Sequence, residues 1–315
     1  MRLAVLGAGA VGGSVVDLAA DYGHTVTAFA DSQSAVVDTD GIDPQGALDR
    51  KARDGIVGDA GPEDALTADY DVLVEATPTT LGDAQPGFGH VETALELDRH
   101  VVLANKGPVA ERFAEVRALE ADSEGTVLFE ATVGGAMPVL STIADFDPDH
   151  ISAVRGVLNG TANFILSRMS AEGLGYEHVL AEAQDLGVAE ADPTFDVDGT
   201  DAALKGVIVA NVLADDGEEY TLADADVEGI QDISGSALEL AQEDGQTVRL
   251  IAEVTEGDVR VGPRLVHEHA ALAPTGTRNI VQLETEHAGR LNISGRGAGG
   301  PETASAVLAD VGRLE

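Results

Sequence analysis

Residues 3–16 read LAVLGAGAVGGSVV: an apolar run, then Gly7-Ala8-Gly9-Ala10-Val11-Gly12-Gly13, then apolar residues at helical spacing. This order predicts a strand, a tight turn and a helix. In such a turn the first glycine permits the bend, the second lets the backbone approach a pyrophosphate, and the third allows close helix packing. The N–H groups of Ala10 and Val11 would then face phosphate at the positive end of the helix. A second strand over 25–30 ends at Asp31, nineteen positions after Gly12. A carboxylate there suits a ribose 2′-hydroxyl and hence NAD, while Arg50, Lys51 and Arg53 are near enough in sequence to meet the 2′-phosphate of NADP, so NAD(P) is expected without a choice between the two.

Working outward, buried-strand patterns recur at 72–76, 100–103 and 126–130, with helical stretches at 89–97 and 109–121. Strands alternating with helices indicate an α/β, doubly wound parallel sheet of Rossmann type over residues 1–140. The pattern then changes to a second, α+β domain over 141–294. It holds a strand at 151–157, helices at 161–170, 176–186 and 201–213, and alternating apolar and polar residues after 249. A glycine-rich loop at 296–300 and a helix at 302–311 are expected to return to the first domain, completing it with 295–315.

Three further segments carry polar groups that packing alone does not require. Residues 101–110, VVLANKGPVA, form a strand ending in Asn105 and Lys106. That carboxyl edge is where ligands lie in open α/β sheets, although a lysine capping a surface loop would read the same way. Glu130 precedes Thr132-Val133-Gly134-Gly135-Ala136-Met137-Pro138, a loop that is either a tight crossover or a set of carbonyls around a hard cation. The densest cluster spans 187–205 and contains Glu190, Asp192, Asp196, Asp198, Asp201 and Lys205. Asp201 and Lys205 are four apart on one helix face, either a solvated ion pair or a lysine tuned by carboxylates to exchange a proton with a substrate.

Composition excludes several function classes. Eighteen basic residues against 56 acidic ones give a net charge of −38, and aromatics are only 3%, so phosphate backbones and anionic membranes would be repelled. The absence of cysteine removes disulfides, thiolate nucleophiles and cysteine-bound metals. No secretory leader and no run of about 18 apolar residues is seen, which reads as cytoplasmic. The acidic residues are spread along the chain, and only Lys51, Lys106 and Lys205 are lysines. A salt-rich cytoplasm, in which about 1 M salt shortens the screening length to roughly 3 Å, would relieve the self-repulsion.

Taken together, these segments resemble homoserine dehydrogenase. The matching pieces are GAGAVGG at 7–13, VEATPT at 74–79, ANKGPVA at 104–110, EATVGGAMP at 130–138, RGVLNGTANFIL at 155–166, AQDLGVAEADPTFDVDGTDAALK at 183–205, GIQDIS at 229–234 and GAGGPETA at 297–304. The resemblance implies interconversion of L-homoserine and L-aspartate 4-semialdehyde with NAD(P), on the route to threonine, methionine and isoleucine. It implies Lys205 as proton donor and acceptor, oriented by Asp201, with Glu190 and Asp196 on the substrate ammonium. Lys106 is expected near nicotinamide and substrate, Thr77 and Pro78 in the nicotinamide pocket, and Gly300 close to the dinucleotide. Glu130 with the backbone of Val133, Gly135 and Met137 is expected to bind a monovalent cation such as sodium. A homodimer is expected, without a C-terminal regulatory domain or a fused kinase.

Overall fold

The computed structural model describes residues 1–214 and 217–314. The chain forms two compact units, Met1–Ala136 with Ala298–Glu315, and Met137–Gly297. These divisions fall three or four residues from those drawn on the sequence.

The first unit is built on a six-stranded sheet: β1 (Arg2–Leu6), β2 (Thr25–Ala30), β3 (Ala35–Val37), β4 (Val72–Glu75), β5 (His100–Leu103) and β6 (Val127–Leu128), in the order β3-β2-β1-β4-β5-β6. All neighbours are parallel except the edge strand β3, which runs antiparallel to β2. This is the strand order of a Rossmann sheet. The core joins Leu3, Val5, Phe29, Val72, Val74 and Val102 of the strands to Val15 and Val16 of helix Ala10–Leu18 and Val307, Leu308 and Val311 of helix Gly300–Arg313. Burying each such side chain contributes about 1.5–3 kcal/mol, so valine and leucine suffice where aromatics are scarce.

Register fixes the functional edge. Leu6 of β1 pairs with Ala30 and with Glu75, and Glu75 pairs with Leu103. The strands therefore finish in one row, and Gly7, Asp31, Thr77 and Asn105 follow along one carboxyl edge.

The second unit carries β7 (Ile151–Val157), β8 (Ala225–Val227), β9 (Gln246–Thr255), β10 (Asp258–His267), β11 (Arg278–Thr285) and β12 (Gly289–Arg296), ordered β12-β11-β7-β9-β10-β8. Helices Gly160–Glu172 and Thr200–Leu213 pack on its central strand β9. Helix Thr200–Leu213 is buried almost all round, from Asp201 to Asn211.

Three expectations need correction. The strand at 126–130 shrinks to β6, because the Glu130 N–H donates to Asp310 Oδ2 at 2.8 Å and Glu130–Thr132 turns into a 3-10 helix. The helix at 109–121 is two helices, Gly107–Glu111 and Phe113–Ala121, broken at Arg112 (φ −143°), whose guanidinium lies 3.3 Å from the Phe88 ring centroid. Strand β9 does not alternate, since Thr247–Ala252 are all buried. Among the described residues no helix is long and apolar enough to cross a membrane.

Candidate active site

The glycine turn has the geometry that its spacing predicts. Gly7 has φ +108° and donates its N–H to Ala30 O at 2.9 Å, and a Cβ on it would lie 2.3 Å from Ala76 O. A Cβ on Gly12 would fall 1.8 Å from Gly7 O, so the helix can approach the strand this closely only with glycine there. Gly9 differs: a Cβ on it meets nothing within 4 Å, so its smallness serves open space and not protein packing. It is the N-cap of helix Ala10–Leu18 and supplies no side-chain cap to the N–H groups of the first turn, where Ala10 is exposed. An uncapped, accessible helix start of this kind fits a pyrophosphate. Gly300 abuts that same turn, a Cβ on it lying 2.6 Å from both Ala10 O and Ser14 Oγ.

Asp31 is more engaged than a bare ribose ligand. Its Oδ1 accepts from the N–H groups of Gln33 (2.8 Å) and Ser34 (2.7 Å), and its Oδ2 accepts from Lys51 Nζ at 2.7 Å. Burial alone would raise its pKa, but Lys51 and the two N–H groups outweigh it and hold the carboxyl below its ordinary range. Of the three cations considered for a 2′-phosphate, Lys51 stands at Asp31, whereas Arg50 pairs with Asp59 and Arg53 with Asp54.

Further along the edge, Glu75 ends β4 with no solvent exposure. Its Oε1 accepts from Thr77 N (2.9 Å), the Thr77 hydroxyl and Asn105 Nδ2 (3.3 Å), while Oε2 lies 2.6 Å from His90 Nδ1. Asn105 also donates to Pro78 O at 3.4 Å and accepts from Gly107 N at 2.9 Å. Lys106, half-buried, donates its backbone N–H to the Thr79 hydroxyl at 3.3 Å. One buried carboxylate thus ties the 77–79 segment to the 105–107 segment. Sequence reasoning picked out Asn105 beside Lys106 but missed Glu75 and His90; the available signal for Glu75 was a charge closing an otherwise apolar parallel strand.

In the second unit, Lys205 and Asp201 are not a solvated pair. Their side chains are 8% and 11% exposed, and Lys205 Nζ donates to Asp201 Oδ2 and to Leu158 O, both at 2.6 Å. Leu158 follows β7, so the strand end fixes one acceptor and the helix the other. Asn159, also overlooked, caps helix Gly160–Glu172 by accepting from Ala162 N at 2.8 Å. Its Nδ2 donates to Asp201 Oδ2 (2.9 Å) and Asp196 Oδ1 (2.6 Å), so Lys205, Asp201, Asn159 and Asp196 form one chain of contacts. Glu190 lies on an exposed loop secured by Gln184, whose Nε2 donates to Glu190 O at 3.1 Å.

Around Glu130, the loop turns through Gly134 (φ +83°) and Gly135 (φ +59°), and Val133 and Met137 are buried. Glu130 is 4% exposed beside the buried Asp310. Burial, together with the charge of Glu130, pushes the Asp310 carboxyl up to about 6. Arg313 stands 3.6 Å from Glu130 Oε2. Carboxylates are hard oxygen donors of the type a hard cation takes, and here the Arg313 guanidinium already stands beside that of Glu130.

Comparison with known proteins adds an independent line. The homoserine dehydrogenase family model matches residues 138–311. A glutamate/leucine/phenylalanine/valine dehydrogenase model matches only residues 1–78, within the glycine-turn unit. Homoserine dehydrogenase of Methanocaldococcus jannaschii is 38% identical, covering 99% of this chain and 97% of its own. A protein of Archaeoglobus fulgidus assigned as a homoserine dehydrogenase superposes with TM-score 0.91 at 40% identity, over 100% of this chain and 99% of that one. A hyperthermophilic archaeal homoserine dehydrogenase in complex with NADPH gives TM-score 0.86 at 26% identity, over 99% and 96%. The family model spans more than half of the sequence and a relative aligns nearly end to end, so the chain belongs to the homoserine dehydrogenase family, NAD(P)-dependent oxidoreductases acting on a CH–OH group.

Proposed function

We propose that Lys205 is the acid–base group through which the chain interconverts L-homoserine and L-aspartate 4-semialdehyde. The observation that carries this reading is the buried ammonium with two fixed acceptors, Leu158 O and Asp201 Oδ2. An ammonium has three N–H donors, and the third is left for a substrate oxygen. A bound NAD(P)(H) supplies or accepts the hydride at the substrate carbon. In the reducing direction Lys205 gives a proton to the aldehyde oxygen as the C–H bond forms, yielding the alcohol; in the oxidising direction it takes that proton back. Asp201, held by Asn159, keeps the amine aimed and balances its charge.

Glu190 and Asp196 receive the substrate ammonium, Asp196 through the oxygen that Asn159 does not occupy. On the dinucleotide side, Gly7, Gly9, Gly12, Ala10 and Val11 hold the pyrophosphate, with Gly300 closing on the same turn. Asp31 and Lys51 meet the adenosine ribose. Thr77, Pro78 and Lys106, held in place by Glu75 and Asn105, shape the nicotinamide end. Glu130 with the carbonyls of Val133, Gly135 and Met137 holds a monovalent cation as a structural tie. The active form is a homodimer, in which Leu265 of β10, 60% exposed in the single chain, would be covered.

The test is NAD(P)H oxidation driven by aspartate 4-semialdehyde in Glu190→Gln and Asp196→Asn variants. Losing one charged hydrogen bond to the substrate should raise its KM by about 10- to 100-fold while dinucleotide affinity stays unchanged. An unaltered KM would remove these two carboxylates from the substrate site.

A further inference from the structure

We propose that His150, Glu286 and His287 form a binding site for a borderline divalent metal ion, Zn²⁺ being the natural occupant to test. The three side chains come from two places 136 positions apart. His150 ends the 3-10 turn Pro148–His150 just before β7, and Glu286 and His287 lie in the turn between β11 and β12.

Backbone bonds bring these places together. The Glu286 N–H donates to His150 O at 2.9 Å, continuing the pairing of Thr285 with Ile151. The β11–β12 turn is tightened by Thr285, whose hydroxyl donates to Gly289 O at 2.8 Å and accepts from Ala288 N at 2.9 Å. The convergence is therefore set by the fold and does not depend on chance meetings of loose side chains.

Both imidazoles approach the same carboxylate oxygen. His150 Nδ1 lies 3.1 Å from Glu286 Oε2 and His287 Nε2 lies 3.5 Å from it. The rings are 5.5 Å apart at an angle of 51°, and one ligand atom from each residue falls within 4.8 Å of the other two. Tetrahedral zinc with ligand bonds near 2.0 Å needs its donors about 3.3 Å apart. All three side chains are at least half exposed, so rotation about their own bonds can close that gap without moving the sheet. His150 and His287 also line an open depression with Phe146, Thr285 and Ala288, which leaves room for a water or another ligand in the fourth position.

The donor set selects the ion. Two imidazoles and one carboxylate favour zinc, nickel or cobalt over magnesium, calcium or sodium, which prefer oxygen. This separates the site from the many surface carboxylates of an acidic chain, and from the loop at Glu130. An occupied site would clip the β11–β12 turn to the start of β7.

The experiment is calorimetric titration of the intact protein with Zn²⁺ in a large excess of Mg²⁺, which occupies the oxygen-only sites. One Zn²⁺ per chain should bind. His150→Ala, His287→Ala and Glu286→Gln should each weaken it by about tenfold or more. Zn²⁺ at about a hundred times its Kd should raise the unfolding midpoint by roughly 5–10 °C in the original protein and not in the variants. Dehydrogenase activity of the metal-free variants should match the original, showing that they fold. Absence of stoichiometric binding, displacement of Zn²⁺ by Mg²⁺, or retention of the affinity in the His150→Ala, His287→Ala double variant would each overturn the proposal.

Discussion

Replacing Glu75 by Gln probes how the first unit organises its functional edge. The carboxylate receives Thr77 N, the Thr77 hydroxyl, Asn105 Nδ2 and the His90 ring. A glutamine can keep its one acceptor oxygen at the Oε1 position, where three of these contacts meet, but it loses the charge that strengthens all of them and turns an N–H₂ group toward His90. Hydrogen bonds to a charged group are worth about 1.5–3 kcal/mol each, and partial repair by the new amide leaves a net cost of about 3 kcal/mol. At about 2–4 °C per kcal/mol the midpoint should fall by about 6–12 °C. The kinetic effect has a different origin: a displacement of about 1 Å in Thr77 and in the 105–107 segment should lower kcat about 10²-fold. Steady-state NAD(P)H oxidation well below the melting transition, with the KM for aspartate 4-semialdehyde measured alongside, separates misplacement from unfolding. His90→Ala removes one contact and leaves Thr77 held, so its loss in kcat should be under tenfold. A Glu75→Gln enzyme that melts early but keeps kcat within twofold would refute the positioning argument and leave Glu75 a purely structural residue.

Two further outcomes follow from charge. Because Lys51 is the cation at Asp31, Lys51→Ala should lower kcat/KM for NADPH relative to NADH by about tenfold or more, and an unchanged ratio would place 2′-phosphate recognition elsewhere. Because the net charge is −38, the unfolding midpoint should climb steeply between about 0.1 M and 2 M potassium chloride, and a flat profile would count against adaptation to high salt.

The parts of the molecule that the sequence displayed are those where one local rule acts alone. Gly7, Gly9 and Gly12 stand at the strand–helix junction because backbone clearance leaves no other residue possible at two of them. Helix Pro44–Asp54 was not anticipated, since Ala47 is its only buried residue and it shows no apolar stripe. Its caps were nonetheless in view: Asp43 accepts from Gly46 N at 3.1 Å, Pro44 opens the helix, and Gly55 (φ +79°) ends it. The strand expected to run through Glu130 failed because its backbone partner, Asp310, comes from 180 positions away.

The site was legible in the same uneven way. Spacing placed Asp201 and Lys205 on one face but left a surface pair and a tuned lysine equally open. The deciding fact was the neighbourhood: between Ala202 and Ala210 the helix offers no other charged side chain and no polar face, which is the pattern of a helix buried all round. Asn159 escaped notice because its role depends on the end of β7 meeting the acidic loop, a contact between segments about forty positions apart.

The most direct test of the account is the turnover of Lys205→Ala with aspartate 4-semialdehyde and saturating NAD(P)H in about 2 M salt, with dinucleotide binding measured on the same sample. Removal of the proton donor should lower kcat by about 10²- to 10⁴-fold and leave NAD(P)H affinity unchanged. A variant that binds the dinucleotide and turns over at the original rate would contradict the assignment of Lys205 and with it the proposed chemistry.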